Sequence, residues 1–197
     1  MRRIIFFVAA VWSLSMACQA SAGAPMTVVK SGGDEVLATL RPASGQPAPG
    51  ESAKKDKIRS VANSLFDYEA LAYFTLGGKW SKLNAVQQKE FTDLYRRLLE
   101  QVYMAKILGY TDEQVDFEKE TMLPNHRAEV SASIVTSSGK IPMVYRMLEK
   151  NGQWRVYDVV IEGISIVRNY RAQFHDILTK NTPQQMIEIL RKKVDSP

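Results

Sequence analysis

Asp158 is the residue of this chain placed best for acid–base chemistry. It lies in the run Trp154-Arg155-Val156-Tyr157-Asp158, and strict alternation puts it on the strand face that carries Trp154, Val156 and Val160. A carboxyl set among apolar groups holds its proton more tightly, which is what a general acid or base requires. The same position also suits a structural carboxylate that accepts backbone amides or pairs with Arg146, Arg155 or Arg171, tying strand to helix. Glu162, just ahead of Gly163, suits the start of the following helix better than catalysis. The rest of the catalytic inventory is thin. His126 and His175 have no second imidazole at ligand spacing, which argues against a zinc or iron site. Ser165 sits in Gly163-Ile164-Ser165-Ile166-Val167, with Val where a nucleophile elbow needs Gly. No Gly-rich phosphate loop is present.

The elements that must position these residues are legible from periodicity. The stretch Gln153 to Phe174 reads as a strand, Trp154 to Ile161, a turn at Glu162-Gly163, and a helix through Asn169-Tyr170-Arg171. Both strand faces are largely apolar, so the strand is central and covered on both sides. Upstream, Asp34 to Leu40 reads as helical, with Gly32 and Gly33 weakening the turns before it. Ser52 to Leu65 is a helix with Ser52 as its N-cap, and Asp67 caps a short helix ended by Gly77-Gly78. Asn84 and Gln87 form a capping box for the longest helix, which ends near Gly109. Phe91, Leu94, Tyr95, Leu98, Leu99, Val102 and Ile107 fall on its apolar stripe.

After Tyr110 the period changes to two. Gln114 to Glu120 suits an edge strand, and Ala128 to Thr136 alternates. Ser138-Gly139 makes a hairpin, Ile141 to Glu149 is the next strand, and Asn151-Gly152 is a two-residue hairpin turn. A last helix starts at Thr182-Pro183 and runs to Val194. The expected class is α+β, an antiparallel sheet of three to four strands with several helices.

The chain has 197 residues, 45% hydrophobic and 24% charged, which suits one domain with a sizeable core. Arg2 and Arg3, an apolar run from Ile4 to Met16, and Ala20-Ser21-Ala22 read as a secretory signal peptide over residues 1–22. Cys18, the only cysteine, lies inside it, so the exported chain is expected to lack disulfides and thiolate sites. If Cys18 were instead the first mature residue it would carry a lipid, but Ser15-Met16-Ala17 lacks the Leu usual before such a site. Residues 23–51 include the Pro/Gly loop Arg41 to Gly50, and residues 52–197 form the main domain. The net charge of +5 is spread out, with one local run at Lys54-Lys55-Asp56-Lys57-Ile58-Arg59. That run is a solvated helix face or a weak attraction to anionic headgroups. No basic stripe interleaved with aromatics marks a nucleic-acid surface.

What stands out is apolar supply. Large and flexible side chains on the long helix, on the Met143/Tyr145/Met147 face and after Gly163 suit either a filled core or a surface accepting variable shapes. Periodicity leaves that choice open. The chain is, however, similar to the MlaC / toluene-tolerance family of periplasmic lipid-binding proteins. The resemblance is carried by Phe66-Asp67-Tyr68, Leu76-Gly77 with Trp80, Gln88 with Phe91, Leu98-Leu99 with Tyr103, and Tyr110. It continues through Ile141-Pro142 with Tyr145, Trp154 to Asp158, Glu162-Gly163-Ile164-Ser165, and Asn169-Tyr170-Arg171 with Phe174. The region before Ser52 matches poorly.

The resemblance implies a non-enzymatic carrier that holds phospholipid acyl chains between a curved sheet and a helical layer. It further implies movement of lipid across the periplasm between an outer-membrane lipoprotein complex and an inner-membrane ABC transporter with a tethered lipid-binding ring. No cofactor is expected, only phospholipid as cargo. A hopanoid cargo, a ligand-free adaptor and an enzyme using Asp158 are the alternatives. Roughly thirty methylenes at about 0.8 kcal/mol each make free desorption of a lipid cost on the order of 20 kcal/mol. A carrier must therefore offer an apolar space near the upper end of ordinary pockets, about 1,000 Å³. The expected lining is Phe91, Leu94, Leu98, Val102 and Ile107 from the long helix. The sheet supplies Ile134, Met143, Tyr145, Met147, Trp154 and Val156. Ile164, Val167, Tyr170 and Phe174 follow the Gly163 turn, with Ile164 at the mouth.

Overall fold

The computed structural model describes residues 24–41, 49–110 and 112–196. The expected signal peptide, Cys18 and most of the Pro/Gly loop lie outside the described residues. Six helices and five strands follow in the order α1 (Pro25–Leu40), α2 (Glu51–Leu65), α3 (Tyr68–Leu76), α4 (Ala85–Leu108), β1 (Gln114–Leu123), β2 (Arg127–Thr136), β3 (Gly139–Lys150), β4 (Gln153–Ile161), β5 (Ile164–Ser165), α5 (Ile166–Lys180) and α6 (Pro183–Asp195). A 3-10 segment, Gly77–Lys82, joins α3 to α4. The class is α+β, but the sheet has five antiparallel strands in sequential order rather than three to four.

The fifth strand arises at Glu162-Gly163. Both residues have positive φ, 50° and 80°, the geometry of a tight two-residue hairpin. The turn therefore sends Ile164-Ser165 back along β4 before α5 begins, instead of opening directly into a helix. Asn151-Gly152 makes the same kind of turn between β3 and β4, with φ 54° and 73°.

Most caps follow the sequence signals. Asp67 accepts from the Ala70 amide at 2.9 Å, and Asn84 and Thr182 each form a reciprocal capping box with the residue three further on. Ser52 is not a cap: α2 begins at Glu51 with Gly50 before it.

Helix α1 is longer than the Asp34 to Leu40 expectation, because its glycines serve packing. A Cβ on Gly32 would meet Leu65 Cδ2 at 3.3 Å, and one on Gly33 would meet the Phe117 ring at 3.2 Å. Their bare backbone lets α1 lie close to α2 and β1, which offsets the usual cost of about 1 kcal/mol for a helical glycine. Glu120 on β1 accepts from the Met26 amide at 2.7 Å and so closes the start of α1.

Two bulges shape the sheet. In β1 the register shifts between Phe117 and Lys119, leaving Glu118 unpaired. In β4 it shifts so that Tyr157 has no partner, with Met147 opposite Val156 but Arg146 opposite Asp158. Each extra residue reverses the side-chain alternation beyond it. The inner face consequently carries Trp154 and Val156, then Val159 and Ile161, while Asp158 turns to the opposite face. That corrects the alternation reading, which had placed Asp158 beside Trp154 and Val156.

Two apolar clusters form the interior. One lies among α3, α4, α5 and α6 and centres on Phe91, Tyr95, Leu98, Tyr170 and Phe174. The other lies between the sheet and α1 and centres on Val29, Val130, Met147 and Val156. Phe66 and Ile166 pack against both. Among the described residues, no helix is long and apolar enough to cross a membrane.

Candidate functional site

Asp158 is 2% exposed and fully occupied. It accepts from Ser165 Oγ at 2.6 Å, from the Val167 amide at 3.0 Å and from Arg146 at 3.2 Å. Ser165 in turn accepts from the Arg168 amide at 3.0 Å and is the N-cap of α5. The carboxylate thus fixes the junction of β4, β5 and α5, the structural role open to it from the sequence. Arg146 also pairs with Glu129 at 3.0 Å, continuing this polar row across the outer sheet face. Glu162 serves the hairpin turn, and His126 meets Glu149 at 3.0 Å at an exposed hairpin tip. Among the described residues no group of three His, Cys, Asp or Glu side chains could hold a metal ion.

The expected lipid-lining residues divide between the two clusters. Phe91, Leu94, Leu98, Val167, Tyr170 and Phe174 belong to the helical cluster. Ile134, Met143, Met147, Trp154 and Val156 belong to the sheet cluster, with Tyr145 packed against it. Phe91, Met147 and Val156 have no accessible surface at all, so in this conformation they are core. Val102 is 38% and Ile164 65% exposed, and Ile107 is half-buried.

A different set lies at the margins of the two clusters. Tyr103, Tyr110, Ile141, Tyr145, Ile161 and Ile166 all pack against core yet keep accessible surface. Tyr145 shows the environment most clearly. Burial pushes its phenol up to about 12, with a smaller contribution from Tyr110, although its side chain is only half-buried by accessible area. Burial likewise raises Tyr103 and Tyr110, and raises Tyr170 with help from Tyr103. Apart from Tyr145, the sequence reading assigned this set no lining role. Tyr103 and Tyr110 were legible only as pieces of the family resemblance, whereas alternation had put Ile141 on the strand face of Met143, Tyr145 and Met147.

These residues gather at one end of the molecule. The last turns of α4 lead through Tyr110 to β1, whose first residue pairs with Val135 near the β2–β3 hairpin. Ile141 faces Ile134, and Ile161 faces Ile164 at the β4–β5 hairpin. The arrangement is a group of part-buried apolar side chains where sheet and helices meet, with exposed Ile164 across from Ile161.

An antiparallel sheet in sequential strand order, covered by helices, defines the class as α+β. The chain belongs to the MlaC family, whose model matches residues 30–192. It is 26% identical to the intermembrane phospholipid transport system binding protein MlaC of Haemophilus influenzae, over 70% of this chain and 68% of that protein. It is 25% identical to the toluene tolerance protein ttg2D of Pseudomonas putida, over 91% of this chain and 83% of that protein. In fold it is similar to a phospholipid-binding protein from Ralstonia solanacearum, solved in complex with a phospholipid. That match has a TM-score of 0.77 at 20% identity, and covers 87% of this chain and 97% of the other. The family match starts within α1, ahead of the quoted motifs.

Proposed function

We propose that this chain carries phospholipid by its acyl chains in the space between its helical and sheet clusters. The observation that supports this reading most is the set of apolar side chains around Tyr145 that pack against the two clusters yet keep accessible surface. An apolar wall of that kind replaces bilayer contacts for the tails and needs few polar groups, since the headgroup can remain in water. Membership of the MlaC family and the names of its relatives point the same way. Tyr103, Tyr110, Ile141, Ile161 and Ile166 join Tyr145 as the lining, while Ile164, Val102 and Ile107 form the rim. The more deeply packed members of the expected set, such as Phe91 and Met147, support the wall from behind and reach the tails only if the clusters part. The carrier works in the periplasm after export. It exchanges lipid with an inner-membrane ABC transporter bearing a tethered lipid-binding ring and with an outer-membrane lipoprotein complex. It has no catalytic role.

The test is native mass spectrometry on protein purified from the periplasm without detergent, followed by solvent extraction. A stoichiometric phospholipid is the expected result. A hopanoid would keep the carrier and change the cargo. Protein that arrives empty and takes up no lipid from liposomes would overturn the proposal in favour of an adaptor with an ordinary core.

A further inference from the structure

A cavity separate from the residues around Tyr145 is lined by none of them. It is an open cleft of about 460 Å³ at the junction of α3, the 3-10 segment and α5, within the range of about 300–1,000 Å³ usual for ligand sites. Lys79, Lys82, Arg171 and His175 line it together with Thr75, Gly77 and neighbouring residues, and no carboxylate does. Elsewhere along the helical layer Arg96 pairs with Glu100, Arg97 with Asp195 and Arg191 with Glu90. Lys79, Lys82 and His175 have no hydrogen-bond or ion-pair partner among the described residues, and Lys79 is half-buried.

Arg171 is pre-set. Its Nε and one Nη donate to the Phe74 carbonyl at 3.2 and 2.5 Å. This uses one side of the guanidinium and leaves the other N–H groups of its planar fork available. A fixed guanidinium flanked by ammonium groups is the arrangement that recognises phosphate oxygens. Gly77, at φ 54°, turns the chain beside Arg171, and a Cβ there would lie in ordinary contact with Arg171 Nε at 3.9 Å. At the cleft edge Tyr73, 49% exposed, meets Trp80 edge-on at 6.1 Å. Tyr and Trp beside Lys are the side chains that settle at a bilayer's headgroup level.

We propose that this cleft is an anion site for a single phosphate group, supplied by the headgroup of a phospholipid in a membrane surface. The site is separate from the acyl-chain space, and its loss leaves cargo in place. The alternative source of the same chemistry is free phosphate.

The experiment compares the full exported chain with Lys79→Ala/Lys82→Ala and with the control Lys192→Ala/Lys193→Ala, which removes the same charge from α6. Inorganic phosphate is titrated against chloride at matched ionic strength while the His175 ring resonances are followed. Binding to phosphatidylglycerol vesicles is measured in parallel, and cargo by mass spectrometry. The expected result is a saturable His175 shift in the parent, absent from the cleft variant. Vesicle affinity should fall about thirtyfold in that variant, from about 1 kcal/mol per lysine near an anionic surface, and hardly in the control. A saturable phosphate shift with equal vesicle binding in all three supports the site and assigns it to free phosphate. No saturable shift, or an equal vesicle loss in the control, overturns the proposal. Unchanged cargo in the cleft variant separates that failure from failure of the carrier reading.

Discussion

Ser165 donates a 2.6 Å hydrogen bond to Asp158 across the β4–β5 hairpin while accepting the Arg168 amide, so one hydroxyl joins a strand carboxylate to the start of a helix. Asp158→Ala would strip Val167, Ser165 and Arg146 of their acceptor at once. The expected loss is about 3 kcal/mol of unfolding free energy by urea denaturation, since hydrogen bonds to charged groups contribute most and Arg146 keeps Glu129. Asp158→Asn retains one oxygen acceptor and should cost about half as much, with co-purified lipid unchanged. A drop in bound lipid without a drop in stability would contradict the junction role.

Ile164 is 65% exposed and touches little core. Ile164→Glu is expected to shift stability by less than about 0.5 kcal/mol while abolishing lipid retention through a charge at the rim. Lipid still present at full stoichiometry in this variant would remove Ile164 from the mouth.

Ile141 and Ile161 sit on the inner sheet face with accessible surface remaining. Ile141→Trp and Ile161→Trp should grow into the space rather than into packed atoms. Uptake from liposomes would then fall several-fold, with an unfolding midpoint close to that of the parent. If the space is already filled, overpacking instead costs about 1–3 kcal/mol, and the midpoint reports it.

At Gly33 a first carbon is tolerated only if the Phe117 ring gives by a few tenths of an ångström. Gly33→Val is expected to destabilise by about 1–3 kcal/mol through overpacking of α1 on β1. A stabilised Gly33→Val would show that α1 stands further from the sheet.

Tyr68 and Tyr145 are each pushed up to about 12 by burial, and Tyr95 further still. In the unfolded chain they titrate near 10. Below about pH 10 the phenols are neutral in both states, so their contribution is complete and independent of pH. Between about 10 and 12 the unfolded chain has released protons that the fold retains, so stability falls as pH rises. Urea midpoints through that window, with tyrosinate absorbance, check the sign. A flat profile would mean these rings reach solvent.

Much of the fold was legible because local signals agreed. Asn84 announced its helix through a capping box, Thr182-Pro183 through a cap and a first-turn proline, and Asn151-Gly152 announced its hairpin. Gly32 and Gly33 misled, because propensity counts a glycine as a break whereas here it admits a neighbouring helix and strand. Tyr157 misled more deeply. A bulge is chosen by tertiary fit and leaves no mark in the alternation, so every face assignment beyond it inverted, Asp158 included. At the site, apolar spacing identified Tyr145 but could not separate a wall from its backing, since Phe91 and Tyr103 share one helix and one kind of side chain. What distinguishes them is whether atoms of another element stand opposite, which only the fold decides.

The bulge at Glu118 has a consequence for the chain in crowded company. An open sheet ends in unpaired amides and carbonyls that recruit strands from other molecules. Here one edge, β1, is broken by the bulge and bristles with Glu118, Lys119 and Glu120, while the other, β5, is two residues long and runs straight into α5. Neither edge presents a flat template, so copies of this protein resist polymerising along their strands.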